Sequence, residues 1–249
     1  RATVMELLLA DQPAQEAAHD RSSHLWDMAA QQDVHESRFP ALEEARIPLL
    51  DDSHVAMRVN LDACISCGLC VRACREVQVN DVIGMSGRGH DSFPTFDFAD
   101  PMGESTCVAC GECVQACPTG ALMPATALDD AQQGDSKDFD EEVTSICPFC
   151  GVGCQVSLKL KGGKIKQVEG INGPANEGRL CVKGRFGFDY IHHPHRLTVP
   201  LIRKTGAEKG LNVDPANPFT HFREATWDEA LDAAAGGLAR LRDQAGETV

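Results

Sequence analysis

The sequence predicts an α+β chain organised around bound metal, and three observations lead to that prediction. Apolar residues recur at helical spacing near both ends of the chain, and residues 156–168 alternate like two strands joined by a turn. Twelve cysteines fall into three groups of four. Hydrophobic residues at 43% and charged residues at 24% are otherwise ordinary for a globular chain of 249 residues. We therefore expect modest helices and small sheets packed around cysteine ligands.

Residues 1–57 contain no cysteine, and we expect this segment to be mainly helical. Two sets of apolar residues share a helical face within it, which are Val4, Leu7 and Leu8, and then Leu25, Trp26 and Ala29. The chain starts at Arg1, and nothing near it resembles a signal peptide. We therefore expect these residues to begin inside a longer polypeptide.

The second half of the chain contains a predicted β-hairpin and a predicted long helix. Residues 156–160 alternate between apolar and polar side chains, the two glycines at 162–163 supply a positive-φ turn, and residues 165–168 return. Further along, Thr226 and Glu229 have the spacing of a capping box, in which each side chain satisfies a free backbone amide. Apolar residues follow at helical spacing, so a helix is expected to start there.

The surface is predicted to be strongly acidic. The formal net charge is −14, and Asp129–Glu142 alone carries seven acidic residues against one lysine. We interpret residues 129–143 as a solvated connector. Because an acidic surface repels phosphate backbones and anionic lipids, we expect no nucleic-acid partner. No apolar run approaches the ~20 residues that span a bilayer, so no membrane span is expected.

The first eight cysteines form two runs with the same spacing. The runs are Cys64-x2-Cys67-x2-Cys70-x3-Cys74 and Cys107-x2-Cys110-x2-Cys113-x3-Cys117. Three cysteines so spaced on a tight loop can reach three corners of an iron–sulfur cubane, and Gly68 and Gly111 let the backbone approach the sulfides. Residues 58–128 therefore resemble the bacterial two-cluster ferredoxins. The resemblance implies a ferredoxin-like domain with two [4Fe–4S] clusters.

The ferredoxin resemblance also implies crossed ligation. The fourth cysteine of each run is expected at the start of a helix, where it binds the cluster of the other run. The implied ligand sets are Cys64, Cys67, Cys70 and Cys117 for the first cluster, and Cys107, Cys110, Cys113 and Cys74 for the second. Arg75 follows Cys74 where that family often has proline. It either shifts the potential of the neighbouring cluster or faces solvent on its helix, and we favour the second interpretation.

The third cysteine group has a different spacing. It reads Cys147-x2-Cys150-x3-Cys154, and Cys181 follows beyond the predicted hairpin. Together with Val182-Lys183-Gly184-Arg185-Phe186 and the segment Trp227-Asp228-Glu229-Ala230-Leu231, this group resembles the N-terminal [4Fe–4S] domain of molybdopterin-dependent oxidoreductases, particularly formate dehydrogenases.

The second resemblance implies a third cluster and a cofactor beyond it. Cys147, Cys150, Cys154 and Cys181 are the implied ligands, within a domain of residues 144–200. Residues 201–249 would begin the molybdopterin-binding α/β domain. The resemblance also implies that Lys183 lies between this cluster and the pterin, where its ammonium could hydrogen-bond the cofactor and stabilise added negative charge.

Together, the resemblances imply the electron-transfer portion of the catalytic subunit of an NAD-linked formate dehydrogenase. In that family a molybdenum or tungsten centre, held by two molybdopterin guanine dinucleotides, converts formate reversibly to CO2. Three [4Fe–4S] clusters would pass the electrons toward flavin- and NAD-binding iron–sulfur partner subunits. We expect a cytoplasmic location. No catalytic residue is expected within these 249 residues, because the family's metal-ligating cysteine or selenocysteine lies further along.

Other interpretations of the cysteines remain. A non-catalytic iron–sulfur module of a hydrogenase or NADH dehydrogenase would share residues 58–128, but it has no reason to carry the third group. Zinc suits four thiolates and could occupy the third site, although it does not explain two ferredoxin-like runs. Disulfides are disfavoured because Cys-x2-Cys pairs rarely bridge each other in comfortable geometry.

The histidines add little to these predictions. His192, His193 and His195 flank a proline, and such a sequence more often lies in an exposed loop than at a metal. Residues 4–13 resemble the approach to a His-plus-three-Cys cluster, for which His19 is the nearest histidine. The cysteines of that motif are absent, so no fourth cluster is expected.

Overall fold

A computed structural model of the chain describes residues 1–18, 20–41, 50–129, 139–210 and 212–246. Their short helices and small antiparallel sheets confirm the predicted α+β class. The chain divides into two units, Arg1–Phe188 and Asp189–Val249. His19 and residues 130–138 of the predicted connector lie outside the described residues.

The helices of the first unit are short. They are α1 (Ala2–Leu9), α2 (His24–Gln31), α3 (Leu69–Arg72), α4 (Glu112–Ala116), α5 (Ala125–Asp129) and α6 (Val182–Phe186). A π-helical turn, Ala73–Val77, continues α3 directly. Single 3-10 turns occupy Gln15–Ala17, Leu61–Ala63, Gly89–Asp91 and Met102–Glu104.

The described strands of the first unit form three sheets. The strands are β1 (Leu50–Asp51), β2 (Met57–Asn60), β3 (Ile83–Ser86), β4 (Phe93–Phe96), β5 (Leu122–Pro124), β6 (Glu141–Ile146), β7 (Gln155–Lys161) and β8 (Lys164–Gly170). Their orders are β1-β2-β5, β3-β4 and β6-β7-β8. Because Val59 of β2 pairs with Leu122 of β5, the start and end of the ferredoxin-like region lie side by side.

The two N-terminal helices pack together, but only one of the two apolar faces named above is buried. Leu25, Trp26 and Ala29 of α2 are buried. In α1, Met5 and Leu9 are buried, whereas Val4 and Leu7 are exposed and Leu8 is only half-buried. The face that Val4, Leu7 and Leu8 share is therefore not the buried one. Five of six residues from 4 to 9 are apolar, so the local pattern does not select one face, and packing against α2 selects Met5 and Leu9 at i and i+4.

The predicted hairpin is confirmed in β7 and β8. Gly162 and Gly163 join the two strands with φ of 58° and 72°, conformations that L side chains rarely adopt. Strand β6 extends this hairpin into a three-stranded sheet. It starts at Glu141, inside the predicted connector, and all six of its residues are exposed. An exposed strand rich in acidic residues carries no apolar alternation from which it could have been predicted.

Cysteines form part of the main core of the first unit. Cys74 and Cys113 are buried among apolar residues of β2, β3, β4 and β5, including Met57, Ile83 and Leu122. The half-buried cysteines that pack against this core are Cys64, Cys70, Cys107 and Cys117. Six of the eight thiols of the ferredoxin-like region therefore share one interior with the hydrophobic side chains.

The second unit pairs strands β9 (Leu201–Arg203) and β10 (Phe222–Glu224) and ends in helix α7 (Trp227–Ala245). The predicted N-cap is confirmed, because the Thr226 hydroxyl accepts the Glu229 amide at 3.2 Å. The Glu229 carboxylate, however, pairs with Arg223. Among the described residues, none of the helices combines the length and apolarity that crossing a bilayer requires.

The buried face of α1 can be tested with two leucines of the same helix. Leu9 is 6% exposed and Leu7 is 52% exposed. Leu9→Ala is expected to lower the free energy of unfolding by about 2–5 kcal/mol, because it leaves a cavity against α2. Leu7→Ala is the control and should change it by about 0.5 kcal/mol or less. Urea denaturation followed by tryptophan fluorescence measures both, and equal losses would contradict this packing.

Candidate metal centres

The first cysteine loop runs from the 3-10 turn Leu61–Ala63 into α3. The Asn60 side chain accepts the Asp62 amide at 3.1 Å and so fixes the start of this turn. Ser66 and Gly68 then adopt positive φ of 53° and 70°. This curvature turns the Ser66 N–H toward the Cys64 sulfur at 3.3 Å. The loop therefore wraps its own thiols and directs backbone amides at them, which suits a ligand with negatively charged sulfides.

The second cysteine loop repeats this conformation. Ala109 and Gly111 have φ of 56° and 73°, two and four residues after Cys107, as Ser66 and Gly68 follow Cys64. The Ala109 N–H again donates to the sulfur two residues back, here Cys107, at 3.4 Å. Equal cysteine spacing has therefore produced equal backbone geometry. Two loops of the same shape are consistent with two ligands of the same kind.

The fourth cysteine of each run lies at a different point of its helix from the one predicted. Cys74 lies within the π-helical turn that continues α3, and its sulfur accepts the Val82 amide at 3.3 Å. Cys117 follows α4 as its C-cap, and its sulfur lies 3.6 Å from the Thr119 hydroxyl. The expected position at a helix start is therefore wrong for both. In each run the short α-helix begins one residue before the third cysteine and ends before the fourth, so the fourth cysteine lies beyond its last residue.

The thiols group electrostatically across the two runs. Burial, followed by the neighbouring thiols of Cys117, Cys64 and Cys67, raises the pKa of Cys70 to about 12. Burial likewise raises the pKa of Cys107, with Cys110 and Cys74 as its neighbouring thiols. Cys70 therefore faces Cys117 of the second run, and Cys107 faces Cys74 of the first. The thiols of Cys70 and Cys107 keep their protons at neutral pH unless a metal displaces them.

The third cysteine group lies at the end of the β6-β7-β8 sheet. The Cys147 amide donates to the Cys154 carbonyl at 2.8 Å, which closes the loop between β6 and β7. Cys181 directly precedes α6, at its N-cap position. Burial and then the thiols of Cys147, Cys150 and Cys181 raise the pKa of Cys154, so all four thiols of this group lie close together. Cys147 is buried, whereas Cys150 and Cys181 are exposed.

Asn176, which sequence reasoning missed, holds the third group together. Its side-chain amide donates to three carbonyls, those of Gln155 at 3.1 Å, Ile171 at 3.2 Å and Arg179 at 3.0 Å. Its oxygen accepts the Gln155 amide at 3.0 Å. Asn176 therefore ties the loop before Cys181 to the strand that follows Cys154. A single buried Asn between glycines gives no sequence pattern that distinguishes it from a turn residue.

A buried ion pair joins the second and third cysteine groups, and sequence reasoning missed this as well. Arg185 on α6 pairs with Glu112 on α4, and their side chains are 4% and 9% exposed. The Arg185 Nε also donates to the Cys110 carbonyl at 2.8 Å. The Leu180 amide, next to Cys181, donates to Glu112 at 3.0 Å. The two charges are 73 residues apart in sequence, so no local spacing could connect them.

Lys183 and Arg75 occupy exposed positions. Lys183 lies on α6 two residues after Cys181 with its side chain exposed. Arg75 forms an ion pair with Asp81 at 2.6 Å, and both side chains are more than half exposed. The structure therefore favours the solvent-facing interpretation of Arg75.

The three histidines at positions 192, 193 and 195 lie at the surface: His192 ends a 3-10 turn, and His193 and His195 lie in the exposed loop after it, as expected. His192, His193 and His195 are exposed, and the His193 Nδ1 accepts the His195 amide at 3.1 Å. A metal at that nitrogen would have to displace this bond.

The donor sets fit iron–sulfur cubanes better than the alternatives. None of the twelve cysteines forms a disulfide, so the disulfide interpretation finds no support. Within the described residues, no three His, Cys, Asp or Glu side chains converge closely enough to hold one ion. Zinc would draw its thiolates to about 2.3 Å from a single centre. A cubane gives each thiolate its own iron, so the four sulfurs stand further apart.

Comparison with protein families identifies two of the regions described above. Residues 63–121 match the family described as "4Fe-4S dicluster domain", and residues 140–193 match the "Molybdopterin oxidoreductase Fe4S4 domain". These domains are iron–sulfur, metal-binding domains of oxidoreductases. The first match contains both ferredoxin-like cysteine runs, and the second contains the third cysteine group and Lys183.

Curated relatives extend the similarity along most of the chain. The "Putative formate dehydrogenase YrhE" of Bacillus subtilis is 33% identical over 80% of this chain and 22% of its own length. The "Probable oxidoreductase YjgC" of the same organism is 31% identical over 79% of this chain and 22% of its own length. The chain thus spans about a fifth of the length of these relatives. The solved structure of an NAD+-reducing [NiFe]-hydrogenase in the H2-reduced state aligns with 26% identity and a TM-score of 0.45, over 53% of this chain and 56% of that one.

The crossed grouping of thiols can be tested by losing one ligand at a time. Cys117→Ala and Cys64→Ala are expected to abolish the same cluster signal in electron paramagnetic resonance (EPR), because the two residues are predicted to bind one cluster. Cys74→Ala and Cys107→Ala should abolish the other signal. Each variant should lose about four irons per chain. If Cys117→Ala instead matches Cys107→Ala, the ligation is not crossed.

Proposed function

We propose that this chain, whose two matched regions are iron–sulfur domains found in molybdopterin oxidoreductases, is the electron-transfer portion of a formate dehydrogenase. It would carry three [4Fe–4S] clusters and serve a molybdenum or tungsten bis-pterin centre. When bound, that centre supplies the two-electron conversion of formate to CO2, and the clusters carry single electrons. Flavin- and NAD-binding iron–sulfur subunits are the proposed partners, and formate or CO2 is the proposed substrate.

The observation that carries this proposal is the third cysteine group beside the ferredoxin-like pair. A simple electron carrier needs only the domain of residues 63–121. The match of residues 140–193 to a molybdopterin oxidoreductase domain therefore favours an enzyme over a non-catalytic module. Formate is favoured as the substrate by the name of the YrhE relative.

The residues of this chain would perform three tasks. The twelve cysteines would hold the clusters, and positive-φ residues such as Gly68 and Gly111 would aim backbone amides at their sulfides. The apolar core around Cys74 and Cys113 would exclude water from the first two clusters and so tune their potentials. Lys183 would place its exposed ammonium beside the third cluster, where it could bind an anionic cofactor.

Iron and sulfide content tests the proposed number of clusters. Protein purified without oxygen should contain about twelve irons and about twelve acid-labile sulfides per chain, four of each for every cluster. A value near eight together with bound zinc would assign zinc to the third group and remove the third cluster. A colourless protein without sulfide would contradict the proposal as a whole.

The proposed role of Lys183 is tested in the full natural protein. Lys183→Ala is expected to lower formate-dependent reduction of the clusters by about 10-fold or more, because it removes a charge beside the cofactor. Iron content should stay unchanged, since Lys183 is no cluster ligand. Lys164→Ala, at an exposed lysine of the hairpin, is the matched control and should keep the full rate. An unchanged rate in the Lys183 variant would exclude the role.

A further inference from the structure

The second and third cysteine groups meet at helix α6. Two of its residues, Gly184 and Arg185, face different groups. The space that a Cβ on Gly184 would occupy lies 3.6 Å from the Cys147 sulfur, while Arg185 donates to the Cys110 carbonyl at 2.8 Å. Helix α6, only five residues long, therefore contacts both cysteine groups. Its position sets the separation between the two groups.

In the buried pair of Arg185 and Glu112, each residue binds the backbone of the other cysteine group. Arg185 comes from the helix after Cys181 and binds the carbonyl of Cys110. Glu112 follows Cys110 by two residues and binds the amide of Leu180, which precedes Cys181. The Gln115 Oε1 accepts a further hydrogen bond from the Arg185 guanidinium at 2.7 Å. A continuous chain of hydrogen bonds thus runs from one cysteine loop to the other.

The second cysteine loop is shaped to admit Arg185, and the first is not. A Cβ on Gly111 would overlap Arg185 and lie 2.9 Å from the Phe186 ring, whereas a Cβ on Gly68 would meet nothing within 4 Å. Both glycines have the same backbone conformation. Positive φ therefore explains a glycine at either position, but only Gly111 is also required by close packing.

Burial makes these two charges influential. Both side chains lie nearly out of water, where the effective dielectric constant is low and charges act strongly on their neighbours. Opposite charges so close together nearly cancel at a distance, yet each acts on the adjacent Cys110.

We propose that Arg185 and Glu112 are positioning residues that hold the second and third cysteine groups together as one electron path and balance opposite charges beside the Cys107–Cys113 loop. The proposal rests on the proposed function, because it requires clusters in both groups. Reduction of a cluster adds one negative charge. A nearby cation favours that change and a nearby anion opposes it. The balanced pair therefore gives close packing without a net electrostatic effect.

The test uses redox titration of the full natural protein, followed by EPR. The cluster signal to follow is the one that Cys107→Ala abolishes. Arg185→Gln should shift its midpoint potential to more negative values, because the Glu112 carboxylate is left unbalanced. Glu112→Gln keeps the shape and a hydrogen-bond acceptor for Leu180, and it should shift the same potential to more positive values. The double variant should lie between the two.

Arg75→Gln is the matched control. Arg75 follows Cys74, a predicted ligand of the same cluster, but solvent screens its exposed charge. Its removal should leave the midpoint potential unchanged. The EPR broadening that arises when both clusters are reduced should weaken in Arg185→Gln and persist in Arg75→Gln, because only the first variant releases α6.

The outcomes separate the two proposals. Shifts of the same sign, or no shift in either variant, would overturn the charge balance while leaving the clusters established. If Arg185→Gln fails to assemble its clusters, the isosteric Glu112→Gln decides alone, and a positive shift is then required. A natural protein that shows no iron–sulfur signal would overturn the proposed function, and this inference with it.

Discussion

The structure depends on one constraint, which is that thiols share the interior of a small protein with its hydrophobic core. Cys74 and Cys113 are buried nearly as deeply as the leucine and isoleucine side chains around them. Burial raises the pKa of the Cys113 thiol well above its usual value, so a thiolate at that position is stable only when a metal takes the place of its proton. A core of this kind depends on the group that it binds. The small sheets around the cysteines enclose that group.

The two ferredoxin-like loops adopt the same backbone conformation around their thiols. Each ferredoxin-like loop uses a left-handed residue two positions after its first cysteine and a left-handed glycine two positions further. Such conformations cost free energy for ordinary residues such as Ser66 and Ala109, of the order of 1 kcal/mol each. They persist because the loop must turn its amides inward. The strain is a consequence of wrapping a ligand rather than of joining two elements.

The third group is attached by polar contacts, in contrast to the apolar packing of the first two. Asn176 ties its two cysteine segments together, and Arg185 with Glu112 joins them to the second loop. A buried ion pair contributes little net stability, but it tolerates no displaced partner. Because hydrogen bonds and ion pairs depend on direction as well as distance, these contacts fix the position of α6. For a protein that passes electrons, fixed spacing between cofactors matters more than the last increment of stability.

The sequence by itself determined the cysteine groups, the hairpin, the N-cap of α7 and the α+β class, because each of these depends on residues close together in the chain. Spacing of three between cysteines sets the loop, and paired glycines set the turn. Only the tertiary structure decided which face of α1 is buried, where Cys74 and Cys117 lie on their helices, and that Glu112 meets Arg185. Helix α1 carries apolar residues on nearly every face, so only packing against α2 decides which of them are buried. Glu112 and Arg185 are 73 residues apart, so only the fold brings the two charges together.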